Sequence, residues 1–172
     1  MITTYVGIGS NLQRHKHIEA AIDELSQLGC DLRLSTIYEC ESVGFDSHAF
    51  YNLVVEMKTE LSLDDFALTL REIELRWGRE SQAQKFQDRT LDLDIILFGD
   101  TVSTAAPVLP RPDIYQYPFV IQPLHELCPM LTVPGTQDTI EHVWQQAQGL
   151  TALKPVELWF TLNNQRENNE LL

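Results

Sequence analysis

Apolar and polar positions alternate most clearly over residues 91–98. Leu91, Leu93, Ile95 and Leu97 fall on one side, and Asp92, Asp94, Ile96 and Phe98 on the other. A strand with that pattern holds both carboxylates on one face, about 7 Å apart. Thr3–Ile8 is rich in strand-forming residues and predicts a first strand, closed by a turn at Gly9-Ser10-Asn11. Ile18, Ala21, Ile22, Leu25 and Leu28 recur at helical spacing and predict a helix over His15–Leu28, with Gly29 as its stop. His15 and His17 lie two apart on different faces of that helix, so they read as solvent-exposed side chains rather than a metal pair. Leu32–Cys40 predicts a second strand. Residues 41–49 predict a loop, and Phe50–Thr59 a third strand with Leu53, Val55 and Met57 on one face. Ser62, with Asp65 three residues on, predicts a capped helix whose inward stripe is Phe66, Leu70, Ile73 and Trp77, ended by Gly78. Residues 79–87 are polar and aperiodic, a loop leading into the acidic strand.

After Asp100 the pattern breaks. Four prolines between Pro107 and Pro118 predict an irregular excursion. A short strand is expected at Phe119–Ile121, a helical turn at His125–Cys128 and an amphipathic helix containing Trp144 over Thr139–Gln148. Residues 165–172 are polar apart from two leucines and predict a frayed tail. Strand, helix, strand, strand, helix, strand is the order of an α+β, ferredoxin-like β-α-β-β-α-β core: an antiparallel sheet with two helices on one face, followed by helical and irregular additions. The second face is then available for a site. With no internal repeat and no linker, 172 residues are expected to form one domain.

Composition narrows the function. Twelve basic against 25 acidic residues give a net charge of −13, which argues against a nucleic-acid surface and requires any polyanionic substrate to arrive with cations. No apolar run approaches a membrane span, and Met1–Tyr5 lacks the basic and apolar regions of a signal peptide, so a cytoplasmic protein is expected. Three cysteines without CxxC spacing predict free thiols. The expected partners are small molecules, with no nucleic acid or membrane; protein partners are left undefined.

Two acids on one strand face can share Mg²⁺, a hard cation that takes oxygen ligands. Arg89, just upstream, suits a bound phosphate. The competing reading is a wet outer face whose aspartates protect an edge strand. Gly7-Ile8-Gly9 matches no phosphate-binding glycine loop. Asn52, inside an apolar strand, either caps an edge or presents its carboxamide to a ring that carries amide-like groups.

Gly9-Ser10-Asn11-Leu12, Phe50-Tyr51-Asn52, Ile73-Glu74 before Gly78-Arg79, and Arg89-Thr90-Leu91-Asp92-Leu93-Asp94-Ile95 together resemble the 6-hydroxymethyl-7,8-dihydropterin pyrophosphokinases. Leu109-Pro110, Phe119-Val120 and Pro123-Leu124 extend the likeness over about residues 5–130. The resemblance implies transfer of the β,γ-diphosphate of ATP to the hydroxymethyl group of a reduced pterin, in folate synthesis, with release of AMP. It implies two Mg²⁺ ions on Asp92 and Asp94, phosphate neutralisation by Arg79 and Arg89, and a nucleotide side that includes Glu74, Lys85, Ile95 and Arg111. It also implies a pterin ring between Phe50 and Phe119, hydrogen-bonded by Asn52 and flanked by Val43 and backbone around Cys40. The chain departs from the family pattern on the ATP side. Ser81, Asp113 and Tyr117 stand where the family commonly has arginine, Lys85 replaces another arginine, and Arg111 replaces a histidine. Two readings follow: a divergent transferase in which Arg111 and Lys85 compensate, or a relative that binds the heterocycle but has lost or altered the transfer.

Overall fold

The computed structural model describes residues 1–41, 49–78 and 90–162. In chain order the elements are β1 (Ile2–Ser10), α1 (Arg14–Ser26), β2 (Cys30–Leu34), β3 (Ile37–Cys40), β4 (Phe50–Thr59), α2 (Leu63–Arg76) and β5 (Asp92–Phe98). They continue as α3 (Asp113–Gln116), α4 (Pro118–Leu127), α5 (Ile140–Gln146), a single 3-10 turn (Leu150–Ala152) and β6 (Lys154–Val156). The sheet runs β5-β1-β4-β3-β6, with β2 also on β4, and the pairings are antiparallel. The first six predicted elements therefore form the α+β core expected from their order.

Side-chain alternation divides the core. Val6, Ile8, Leu53, Val55, Met57, Leu93 and Ile95 face α1 and α2, meeting Ile18, Ile22, Leu25, Phe66, Leu70 and Ile73. Ser62 accepts a hydrogen bond from the Asp65 N–H at 3.2 Å and fixes the start of α2. The opposite face, with Tyr5, Val54, Ile96 and Leu97, is covered by Ile114 of α3, Val120, Ile121, Leu124 and Leu127 of α4, and Ile140 and Val143 of α5. Part of that second face stays open at the β5–β1–β4 end, where the site lies.

Several expectations change. β1 does not turn at Gly9-Ser10; Gly9 and Ser10 stay in the ladder opposite Asn52 and Tyr51. The predicted strand over Leu32–Cys40 is two strands. Ser35 donates its N–H to the Val54 carbonyl at 3.0 Å, and its hydroxyl accepts from the Val54 N–H at 2.9 Å, so a side chain takes the place of one ladder bond. Phe119–Ile121 is helical, inside α4, which opens with Pro118 at a position that needs no N–H donor. His17 is only 5 % exposed, its Nδ1 2.6 Å from the Leu12 carbonyl, while His15 is exposed as expected. Helix α1 ends at Ser26, before Gly29; a Cβ at Gly29 would stand 1.9 Å from the Lys58 carbonyl oxygen, so close chain approach demands that glycine. In β5 the register slips between the partners of Tyr5 and Val6, leaving Ile96 as a bulge. Leu97 and Phe98 consequently exchange the faces expected for them: Leu97 joins the second core and Phe98 the first. Val43, the polar segment 79–89 and the tail 165–172 lie outside the described residues.

Candidate active site

The bulge falls after the acids, so the predicted alternation holds where it matters. Asp92 lies opposite Gly9, and Gly9 opposite Asn52; Asp94 lies opposite Gly7, and Gly7 opposite Val54. Residues directly opposite in a ladder share a face. The acid row and the Asn52 row are thus two strand spacings apart, about 10 Å, across a β1 row whose Gly7 and Gly9 contribute no side chains of their own. A Cβ at Gly9 would stand 2.9 Å from the Asn52 Oδ1, and one at Gly7 3.2 Å from the Ile96 Cδ1. From the sequence Gly9 reads as part of a turn and Gly7 as an ordinary member of the first strand. Their spacing of two inside a strand, which marks close approach to a strand surface, was the available signal.

Above this floor is a cavity of about 680 Å³. On its β4–β3 side it is lined by Phe50, Asn52, Cys40 and Phe119, so four of the five predicted heterocycle contacts are brought together. The Asn52 carboxamide N–H donates to the Cys40 Sγ. Burial pushes the Cys40 thiol up to about 11, so it stays protonated. Tyr117 stacks on Phe119, with ring centroids 5.0 Å apart.

Asp92, Asp94, Ile95, Glu74 and Arg111 line the other side. Glu74 reaches from α2 and is 7 % exposed; its Oε2 accepts the Leu93 N–H at 2.9 Å. That N–H sits on the edge strand between the two aspartates, so Glu74 both covers the edge and fixes the acids. Arg111 lies 3.5 Å from the Asp94 Oδ1 and donates from Nε to the Asp113 Oδ2 at 3.0 Å. Desolvation, and then the Asp92 charge, push the Asp94 carboxyl up to about 7, while Arg111 opposes the rise. Arg71 of α2 also lines this side, a cation the sequence reading did not single out. Arg79, Lys85, Arg89 and Val43 were also predicted and lie outside the described residues.

Fold and cavity together define an α+β protein with a two-ended small-molecule site: carboxylates and cations at one end, aromatic rings and a carboxamide at the other. A family model described as 7,8-dihydro-6-hydroxymethylpterin-pyrophosphokinase (HPPK) matches residues 5–129. Proteins named 2-amino-4-hydroxy-6-hydroxymethyldihydropteridine pyrophosphokinase are similar to this chain. The one from Bacillus subtilis is 32 % identical over 155 residues, covering 85 % of this chain and 92 % of the relative. One from Porphyromonas gingivalis is 37 % identical over 138 residues, covering 76 % and 94 %. A crystal structure of a Plasmodium falciparum HPPK-DHPS triple mutant superposes with a TM-score of 0.68 at 13 % identity. It covers 84 % of this chain, which spans 44 % of that longer one, and it speaks for the fold alone. The chain belongs to the HPPK family.

Proposed function

We propose that this chain transfers the β,γ-diphosphate of ATP to 6-hydroxymethyl-7,8-dihydropterin, yielding AMP and the pterin diphosphate in folate biosynthesis. One observation carries the assignment of roles: the Asp92/Asp94 row and the Asn52 row flank the Gly7/Gly9 row of β1 within one cavity.

At the aromatic end, Phe50 and Phe119 take the two faces of the pterin and Asn52 hydrogen-bonds its edge, a design suited to a flat ring that carries both donors and acceptors. At the acidic end, Asp92 and Asp94 would hold Mg²⁺. Among the described residues no three His, Cys, Asp or Glu side chains gather into a metal cage. A carboxylate pair fits the ion nonetheless, because Mg²⁺ takes one or two carboxylates and completes its shell with substrate phosphates and water. An ion bound there would supply charge neutralisation for the triphosphate. Arg111, swung from Asp94 onto phosphate, and Arg71 add cations on the nucleotide side; Arg79, Lys85 and Arg89 belong to the same proposal. The pterin hydroxyl oxygen bonds to the β-phosphorus, the bond from that phosphorus to the α,β-bridging oxygen breaks, AMP leaves and the hydroxyl proton passes to solvent. Positioning and charge neutralisation supply the acceleration. Among the described residues no helix is long and apolar enough to cross a membrane.

The test is AMP release from ATP and Mg²⁺ with and without the pterin. AMP that forms only with the pterin, and is lost in Asp92→Ala, is the expected result. Pterin binding without AMP formation would overturn the transferase assignment.

A further inference from the structure

The family match ends at residue 129, yet the chain beyond it returns to the aromatic end of the cavity. Gly149, in the left-handed region at φ 80°, turns the backbone beside Pro118, whose Cγ lies 3.5 Å from where a Gly149 Cβ would stand. After the 3-10 turn, Leu153 is buried with Tyr38 and Cys40, and Phe50 and Phe119 pack against this group. β6 then pairs with β3, with Pro155 opposite Tyr38 and Lys154 opposite Glu39. Past β6 the chain crosses to the other face of the sheet. Trp159, Phe160 and Leu162 pack on the α1–α2 core, the Trp159 ring 4.1 Å from that of His15 and 5.9 Å from that of Tyr51. The segment is therefore anchored on both sides of Leu153.

Helix α4, which carries Phe119, is fastened to the same region. Glu126 accepts from the Thr36 N–H at 2.9 Å and from the Tyr38 hydroxyl, and Trp144 of α5 donates to Gln122. Cys40, Phe50 and Phe119 line the cavity, and Leu153 stands behind them. A flat ring held between two aromatic side chains needs their separation fixed, since stacking weakens quickly away from contact distance.

From this arrangement we infer that Leu153, held by the strap 149–156, is a positioning residue that sets the spacing between Phe50 and Phe119 and so determines affinity for the heterocycle. The inference rests on the slot reading above. Truncating Leu153 leaves a gap behind the slot that its neighbours fill only in part, and the slot widens while the nucleotide end is untouched.

The test is steady-state kinetics on the full chain, with ATP and pterin varied separately, for wild type, Leu153→Ala, Leu153→Met and Asn52→Ala. Leu153→Ala is expected to raise the pterin KM by about tenfold or more, the order that small misplacements of binding groups produce. The ATP KM stays near the wild-type value, and Leu153→Met recovers most of the pterin affinity. If Leu153→Ala melts below the assay temperature, Leu153→Val makes the same test with a smaller gap. Two results would overturn the inference: ATP and pterin KM rising together, or a pterin KM that does not move with Leu153 although Asn52→Ala raises it. A pterin KM indifferent to Asn52→Ala as well would overturn the slot reading itself, and the inference with it.

Discussion

Replacing Asp94 by Asn should abolish turnover while making the metal-free protein more stable. The Asp94 carboxyl is pushed up to about 7 from an ordinary 3.8 by burial and by the adjacent Asp92 charge. A carboxyl whose native pKa exceeds its unfolded value favours folding while it is protonated. That contribution is complete below pH ~4 and is lost as pH rises through the native pKa. At pH 8 the ionised group is a net liability. At ~1.4 kcal/mol per pKa unit the full shift corresponds to about 4 kcal/mol. Asp94 keeps 36 % of its side chain exposed and has Arg111 3.5 Å away, and solvent screening of that kind reduces the figure to about 1–2 kcal/mol. Urea denaturation without Mg²⁺ is the assay. Asp94→Asn should exceed wild type by about 1–2 kcal/mol at pH 8, with a smaller advantage at pH 5. Adding Mg²⁺ and ATP should raise the wild-type stability and not that of the variant, because only a ligand bound to the native state stabilises it. A variant less stable than wild type at pH 8, or an advantage equal at both pH values, would refute the reasoning.

Three other outcomes follow from the geometry. Gly9→Ala places a Cβ 2.9 Å from the Asn52 Oδ1, so Asn52 must shift; the pterin KM should rise more than the ATP KM in separate titrations. Glu74→Ala leaves the Leu93 N–H without its acceptor, and chemical denaturation should show a loss of about 1–3 kcal/mol, with Glu74→Gln retaining much of it through its amide oxygen. Cys40 and Cys128 are buried, and desolvation raises their thiols to about 11 and about 12; timed iodoacetamide labelling at pH 8, read by mass spectrometry, should modify the half-exposed Cys30 first.

The sequence announced what is local and periodic. α2 follows from Ser62 and its apolar stripe, and the acid pair follows from a period of two. What it concealed depends on neighbours. The Ile96 bulge is invisible in an apolar run whose residues are buried on both faces, so Leu97 and Phe98 could not be assigned their sides from alternation. Phe119–Ile121 is too short for periodicity to separate strand from helix, although Pro118 was a usable sign of a helix start. Gly29 looked like a helix stop because nothing local points to Lys58, 29 residues away in sequence. Of the residues that line the cavity, Asp92, Asp94 and Asn52 stood out from the strand patterns, and Phe50 and Phe119 only through the family resemblance. Their meeting around Gly7 and Gly9 required the register of three strands, and the Arg111–Asp113 pair required the path of the proline-rich excursion.

The glycine floor also bears on how this site can change. A packed core is damaged by removing atoms; Gly7 and Gly9 are damaged by adding any, because every other residue type begins with a Cβ that the floor cannot admit without disturbing Ile96 or Asn52. An inhibitor that draws its contacts from the β1 backbone at Gly7 and Gly9 would therefore rest on positions where any substitution makes Ile96 or Asn52 give way. One that leans on the Phe50, Tyr117 or Arg111 side chains would meet a surface open to substitution. For a heterocyclic ligand in this cavity, depth toward the sheet would then be the direction of most durable recognition.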